Sequence, residues 1–169
     1  NLIIFDKTGT ITEGKPVINN VITNGYDVDE LLQLIASLES RSEHPLADAI
    51  VDYTKSKNLQ LFEPEEFIST IGSGISGIIN GKQVLIGNKN FLQKNSISID
   101  LLEEGISTHS SEAETILYAA IDGEYAGMVS LSDPIKKNVA KDIEDKQSIC
   151  FAYQNLGKIA LKTGEIYSA

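Results

Sequence analysis

The spacing of apolar residues changes along the chain and divides its first half into predicted strands and helices. A continuous apolar run at 2–5 is typical of a strand buried on both faces, and it stops at Asp6. Apolar residues then recur at helical spacing from Asp29 onward (Leu31, Leu34, Ile35 and Leu38). Pro45 suits the first turn of a second helix, because its missing N–H would be unpaired there anyway.

Two short turn signals predict β-hairpins in the second half. Asn80-Gly81 lies between the apolar runs 78–79 and 84–86, and Asp122-Gly123 lies between 116–121 and 125–131. Asp133-Pro134 predicts the cap and first residue of a further helix, with Ile135, Val139 and Ile143 on one side. The order of elements predicts an α/β chain in which a smaller α+β unit, about 21–130, is inserted between two pieces of a second unit.

Composition narrows the kinds of partner. The 169 residues carry a net charge of −10, which argues against nucleic acid but does not exclude ATP bound through a few local donors and Mg²⁺. Cys150 is the only cysteine, so no disulfide within the chain and no cysteine metal cluster is expected, and a reducing location fits. No apolar stretch reaches the roughly 18 residues of a transmembrane helix, and no signal peptide is visible.

The sequence Asp6-Lys7-Thr8-Gly9-Thr10 carries groups suited to phosphoryl transfer. A carboxylate can attack a γ-phosphoryl group and form an aspartyl-phosphate, while Lys7 offers positive charge and Thr8 a hydroxyl. We expect Asp6 at the carboxyl end of a buried parallel strand, where open α/β sheets bind ligands. A carboxylate that faces an anionic phosphate needs charge neutralisation, so Mg²⁺ is implied. For an isolated Asp-Lys pair, a turn cap beside a surface lysine is the alternative.

DKTGT, continued by residues 11–14, resembles the phosphorylation signature of P-type ATPases. The resemblance implies that Asp6 accepts the phosphoryl group, that Lys7 and Thr8 belong to the catalytic site, and that Asp6 and Thr8 contribute to a Mg²⁺ site. Related phosphatases of the haloacid dehalogenase type usually carry a second Asp two residues after the nucleophile. Thr8 stands there in this chain, which favours a pump that holds its phosphoenzyme over a soluble phosphatase.

The segment SEHPLA, residues 42–47, indicates a nucleotide pocket. A helix dipole favours the neutral form of an imidazole that precedes the helix, and a neutral ring can stack on adenine. A lone histidine is more often a cap or a core residue. SEHPLA, however, resembles the hallmark of heavy-metal P-type ATPases, and this resemblance implies that His44 and Glu39 contact ATP.

Two further segments extend the same pocket. Residues 72–77, GSGISG, could be a turn or bulge, or could let the backbone approach a ligand closely because glycine has no Cβ. The resemblance places Gly72 and Gly74 in the nucleotide pocket. Asn88 could cap the short helix that follows it, and the resemblance implies that it also lines the ATP site.

The resemblance breaks at about Asp145. The family would continue with TGD and GDGxND motifs, but GDGxND is absent and Thr163-Gly164-Glu165 only loosely echoes TGD. The expected Mg²⁺ site then lacks its third protein ligand. Transfer depends on positioning and charge neutralisation, so the isolated chain is expected to bind ATP but to be inactive or weakly active.

The sequence therefore predicts an α+β nucleotide-binding domain, 21–130, with an antiparallel sheet flanked by helices. It is inserted in a haloacid-dehalogenase-like phosphorylation domain formed by 1–20 and 131–169, incomplete and atypical from about 146. The resemblance implies the cytoplasmic portion of a membrane-bound heavy-metal pump, with copper as the first expectation from residues 67–77. Its partners would be ATP, Mg²⁺, and the transmembrane and actuator domains of the pump. A non-catalytic nucleotide-binding module and a soluble phosphatase are the alternatives.

Overall fold

The computed structural model describes the backbone at 2–6, 12–99, 114–136, 149–153 and 158–162, and the side chains at 12–99 and 114–136. The chain divides into two compact units, one formed by Asn1–Pro16 with Asp133–Ala169 and the other by Val17–Ser132. In chain order the elements are β1 (Leu2–Asp6), β2 (Val17–Thr23), α1 (Val28–Glu39), α2 (Pro45–Ser56), β3 (Glu65–Thr70), β4 (Gly74–Ile79), β5 (Lys82–Gly87), α3 (Lys89–Lys94), β6 (Thr115–Ile121), β7 (Glu124–Ser132), β8 (Ile149–Tyr153) and β9 (Lys158–Lys162).

Val17–Ser132 is built on a six-stranded antiparallel sheet with the order β2-β7-β6-β5-β4-β3. β2 begins four residues before the expected boundary at 21 and belongs to this unit, because it pairs with β7. The predicted fold class, an antiparallel sheet flanked by helices, is confirmed.

Alternation along the strands divides the core between the two faces of the sheet. Successive residues of a strand point to opposite faces, so Val84 and Ile86 of β5 join one cluster and Leu85 joins the other. The first cluster holds the apolar face of α1, including the fully buried Leu31 and Leu38. The second cluster packs α3 on the opposite face. Helices therefore cover both sides of the sheet.

The two predicted hairpins form at the two predicted turns. Asn80 and Gly81 have φ of 51° and 77°, and Asp122 and Gly123 have φ of 50° and 84°. Two successive positive φ values are the signature of a type I′ turn, whose twist matches that of the strands. The Asp122 carboxylate also accepts a 2.8 Å hydrogen bond from the backbone N–H of Gln83, which ties the second turn to the neighbouring hairpin.

The first unit differs from the expected architecture. Its described strands form a three-stranded sheet in the order β1-β9-β8, and both pairings are antiparallel. β1 pairs with β9 in the antiparallel direction, and β9 also pairs with β8 in the antiparallel direction. The expectation that Asp6 ends a parallel strand is therefore wrong. Thr163-Gly164-Glu165 lies outside the described residues.

The helix expected to begin at Asp133-Pro134 is also absent from the described part of that segment. Ile135 forms an isolated antiparallel bridge with Thr12, and the backbone N–H of Glu13 donates to the Pro134 carbonyl. Asp133 does not cap a helix, because its carboxylate accepts hydrogen bonds from Thr12 Oγ1 at 2.6 Å and from the Lys15 N–H at 3.2 Å. Val139 and Ile143 lie outside the described residues.

Candidate functional site

A cavity of about 320 Å³ lies in the unit Val17–Ser132. Its lining comes from four stretches that are far apart in the sequence, namely the end of α1 with the start of α2, residues 69–75, residues 86–88, and residues 115–117. All five residues predicted to bind nucleotide lie in this lining: Glu39, His44, Gly72, Gly74 and Asn88. Motifs separated in the chain therefore meet at one place.

Glu39 is the last residue of α1 and only 6 % of its surface is exposed. Burial raises the pKa of its carboxyl from 4.5 to about 7, and a hydrogen bond with Ser42 acts in the opposite direction. The carboxyl group consequently changes its protonation state near neutral pH. It can accept a hydrogen bond from a ligand as the anion, and it can also donate one as the acid.

His44 is the N-cap of α2 and is exposed. Its Nδ1 accepts a 3.1 Å hydrogen bond from the backbone N–H of Leu46, with Pro45 between them at the first helical position. An Nδ1 that accepts a hydrogen bond carries no proton, so this geometry belongs to the neutral ring with its proton on Nε2. The cap and the ligand contact are therefore compatible, because the cap leaves Nε2 and the faces of the ring to other partners.

The glycine segment has a structural explanation at each of its two predicted positions. Gly72 has φ of +68°, a backbone conformation that favours glycine, in a turn closed by the Ser73 N–H and the Thr70 carbonyl at 3.0 Å. A Cβ at Gly74 would collide with the carbonyl of Ile86 and would approach Cε1 of the Phe91 ring to 2.8 Å. Close packing of two strands against that ring thus requires a glycine at Gly74, independently of any ligand.

Asn88 joins the glycine segment to α3. Its Oδ1 accepts from the Phe91 N–H at 2.9 Å and caps the helix, as the sequence predicted. Its Nδ2 donates to the Gly72 carbonyl at 3.1 Å, and its backbone N–H donates to the Ser73 carbonyl at 3.0 Å. Asn88 thereby fixes the position of the glycine turn at the edge of the cavity.

Most of the apolar lining carries no recognisable signal in the sequence. Ile75 and Ile86 are buried, and Leu117 of β6 is half-buried. Ile75 lies inside the predicted 72–77 segment, but Ile86 and Leu117 read as ordinary strand residues in the sequence, and nothing there marks β6 as part of a site. Ile71, in contrast, lines the cavity with 98 % of its surface exposed. Neither lysine nor arginine is among the lining residues that the structure describes.

The structure describes little of the predicted catalytic loop. Asp6 is the last residue of β1, its side chain is not described, and Lys7 and Thr8 lie outside the described residues. Within 12–99 and 114–136, no three His, Cys, Asp or Glu side chains are grouped so that they could hold a metal ion. The predicted Mg²⁺ ligands, Asp6 and Thr8, thus remain predictions. No helix in the described part of the chain is long and apolar enough to cross a membrane.

Comparison with known proteins identifies relatives for nearly the whole chain. A family model described as haloacid dehalogenase-like hydrolase matches residues 1–149. The copper-exporting P-type ATPase of Staphylococcus saprophyticus is 37 % identical over 164 residues, which cover 96 % of this chain and 19 % of that protein. This chain therefore spans about a fifth of the length of that relative. The alignment with this relative continues past Asp145, whereas the family model ends at residue 149, so the expected break in resemblance at about Asp145 stays a prediction.

Two solved structures support the same assignment. A zinc-transporting PIB-type ATPase in the E2.Pi state superimposes with a TM-score of 0.72 and 31 % identity, covering 83 % of this chain and 23 % of that one. The N-domain of a copper-transporting P-type ATPase superimposes with a TM-score of 0.59 and 28 % identity, covering 70 % of this chain and 99 % of the N-domain. The resemblance inferred from the motifs is confirmed. The chain is similar to the part of heavy-metal P-type ATPases that contains the N-domain, and it belongs to the haloacid dehalogenase-like hydrolase family.

Proposed function

We propose that the unit Val17–Ser132 binds ATP and that Asp6 accepts the γ-phosphoryl group, as the cytoplasmic catalytic portion of a heavy-metal-transporting P-type ATPase. The observation that carries the proposal is the meeting of Glu39, His44, Gly72 and Asn88 at one cavity. In this proposal the unit is the nucleotide-binding domain, and the segments on either side of it belong to the phosphorylation domain. The solved N-domain supports this assignment, since it matches a share of the chain close to that of Val17–Ser132.

The chemistry of the cavity suits the nucleoside end of ATP. A volume of about 320 Å³ is at the lower end of the range for small-molecule sites. Apolar walls suit the faces of a purine, and the Glu39 carboxylate can accept a hydrogen bond from the exocyclic amino group of adenine. Because the described lining contains neither lysine nor arginine, we propose that the triphosphate extends out of the cavity.

The proposed transfer step uses Asp6. Its carboxylate oxygen would form a bond to the γ-phosphorus while the bond from that phosphorus to the bridging oxygen of ADP breaks, giving an aspartyl-phosphate and ADP. Lys7 would offset negative charge beside the acceptor, and Asp6 and the backbone carbonyl of Thr8 would hold Mg²⁺. The ion would supply charge neutralisation at the phosphate. This step rests on the DKTGT motif and on family membership.

We propose copper as the transported ion. The support is that several similar proteins are named copper-exporting P-type ATPases, including that of Archaeoglobus fulgidus at 35 % identity over 147 residues. A similar protein from Salmonella typhimurium is named a silver exporting P-type ATPase. The residues that would select the ion are expected in membrane helices outside this chain, where the transmembrane and actuator domains would be its partners.

Nucleotide binding is tested by adding ATP to ¹⁵N-labelled protein and following backbone amide shifts in three forms of the chain. His44→Asn keeps a cap acceptor for the Leu46 N–H but removes the ring, and His44→Ala removes both. We expect shifts at Glu39, His44, Gly72 and Asn88 in the wild type, and weaker binding in both variants. Folded wild-type protein without these shifts at millimolar ATP would contradict the proposal. Wild-type affinity in His44→Asn would exclude a role for the ring.

Phosphorylation is tested separately with ATP labelled at the γ-phosphate, with Asp6→Asn as the control. A hydroxylamine-sensitive label on the wild type that is missing from Asp6→Asn would support the acceptor role, because acyl phosphates are cleaved by hydroxylamine. ATP binding without any label would favour the non-catalytic nucleotide-binding module. Rapid release of phosphate from p-nitrophenyl phosphate that depends on Asp6 would favour the soluble phosphatase.

A further inference from the structure

An isoleucine at the rim of the cavity is almost wholly in solvent. Ile71 lies between β3 and β4 and belongs to the cavity lining, yet 98 % of its surface is exposed. Single exposed apolar residues are common on protein surfaces and need no explanation by themselves. Ile71 differs from such residues because it borders a cavity whose inner wall is apolar.

The backbone around Ile71 is held in place by hydrogen bonds on its C-terminal side. The Ser73 N–H closes a turn onto Thr70, and Asn88 binds the carbonyls of both Gly72 and Ser73. Asn88 is itself fixed as the cap of α3. An exposed side chain on an anchored turn can contact a ligand with little loss of backbone freedom on binding.

We propose that Ile71 is the outer apolar contact for the purine base of the bound nucleotide, an inference that rests on the proposed ATP site. A purine has two flat apolar faces, and binding is stronger when both are shielded from water. On the inner side the cavity offers Ile75 and Ile86, which the protein already buries. Leu46, Ile116 and Leu117 of the lining are half-buried, so among the described apolar lining residues Ile71 has by far the most surface for a ligand to cover.

The side chain at this position thus sets part of the affinity for the base and none of the affinity for the phosphates. Its contribution comes from apolar area removed from water upon binding, which depends on contact and not on charge. Covering about half of an isoleucine side chain should strengthen binding about five- to tenfold.

Ile68 provides a matched control on the full chain. It lies three residues earlier in β3, 60 % of its surface is exposed, and it is outside the cavity lining. We would measure dissociation constants of ATP and of adenosine for wild type, Ile71→Ser, Ile71→Leu and Ile68→Ser. Since both side chains are exposed, the serine variants should keep the wild-type melting temperature. That measurement verifies that each variant is folded.

We expect Ile71→Ser to weaken ATP and adenosine by the same five- to tenfold factor, and Ile71→Leu and Ile68→Ser to bind like the wild type. In ¹³C-methyl-labelled protein with bound ATP, nuclear Overhauser effects should connect Ile71 methyl protons with adenine H2 or H8. Wild-type affinity in Ile71→Ser, or an equal loss in Ile68→Ser, would overturn the inference while leaving the ATP site intact. Failure of the wild type to bind either ligand would overturn both proposals.

Discussion

Replacement of Glu39 by glutamine should make the protein more stable at alkaline pH and leave its stability nearly unchanged at acidic pH. Glu39 is 6 % exposed, and burial raises the pKa of its carboxyl from 4.5 to about 7. The native state therefore binds this proton more tightly than the unfolded chain does. Stability from this group is fully present below pH 4.5 and is lost as the pH rises towards and through 7.

The size of the effect follows from the shift. At about 1.4 kcal/mol for each pKa unit, the buried carboxylate costs the native state about 3 kcal/mol above pH 7 relative to its protonated form. Glutamine has nearly the same shape and stays neutral, so it avoids this penalty. The free energy of unfolding of Glu39→Gln minus that of the wild type should rise from near zero at pH 4.5 to about 3 kcal/mol at pH 8.

The assay is urea denaturation followed by circular dichroism at several pH values between 4.5 and 8. Glu43→Gln is the matched control, because it removes one exposed carboxylate from the neighbouring loop. The carbonyl shift of ¹³C-labelled Glu39 gives an independent titration of the same group. A difference in the free energy of unfolding between Glu39→Gln and wild type that stays constant across this pH range would refute the reasoning. Ionisation of a buried carboxyl group must lower the stability of the folded protein.

Three further predictions concern the glycine turn beside the cavity, the hydrogen bonds of Asp133 and the cap formed by Asn88. Gly74→Ala should lower the free energy of unfolding by at least about 2 kcal/mol through a steric clash, and Gly72→Ala by about 1 kcal/mol through its positive φ, both measured by urea denaturation. Equal losses of free energy in the two variants would contradict the distinction between a steric clash at Gly74 and a strained φ at Gly72. Asp133→Ala should lower it by about 1–2 kcal/mol through the lost hydrogen bonds, including that from Thr12, and Asp133→Asn should lower it less. Asn88→Asp keeps the cap but loses the amide donor, so ¹⁵N relaxation should detect faster motion at Gly72 with little change in melting temperature.

Local signals in the sequence predicted several turns and caps of the unit Val17–Ser132. The two hairpins follow from residues that tolerate positive φ, and the caps at His44 and Asn88 follow from side chains that can accept a backbone N–H. Turn and cap conformations depend on residues that are close together in the chain, so a pattern of a few residues is enough to predict them. The convergence of the pocket motifs came from the family resemblance, because no local pattern reports which strands lie side by side.

The features that the sequence could not supply depend on distant contacts. The pairing of β1 with β9 joins opposite ends of the chain, and an apolar run does not reveal the direction of its partner. The dipeptide Asp133-Pro134 is typical of a helix start. In the structure, however, the Asp133 carboxylate accepts hydrogen bonds from Thr12 and Lys15 and does not cap a helix. The pKa of Glu39 likewise depends on burial, which its position at a helix end does not indicate.

The first and last strands of the unit Val17–Ser132 lie side by side, and Val17 is paired directly with Ser132. The Cα atoms of such a pair are only about 5 Å apart. The distance between the two ends of the unit is therefore no greater than the distance that a tight turn spans. A gene segment that encodes it could enter or leave a surface loop without stretching the host protein, and a fragment cut at these two residues would have neighbouring ends suited to circular permutation.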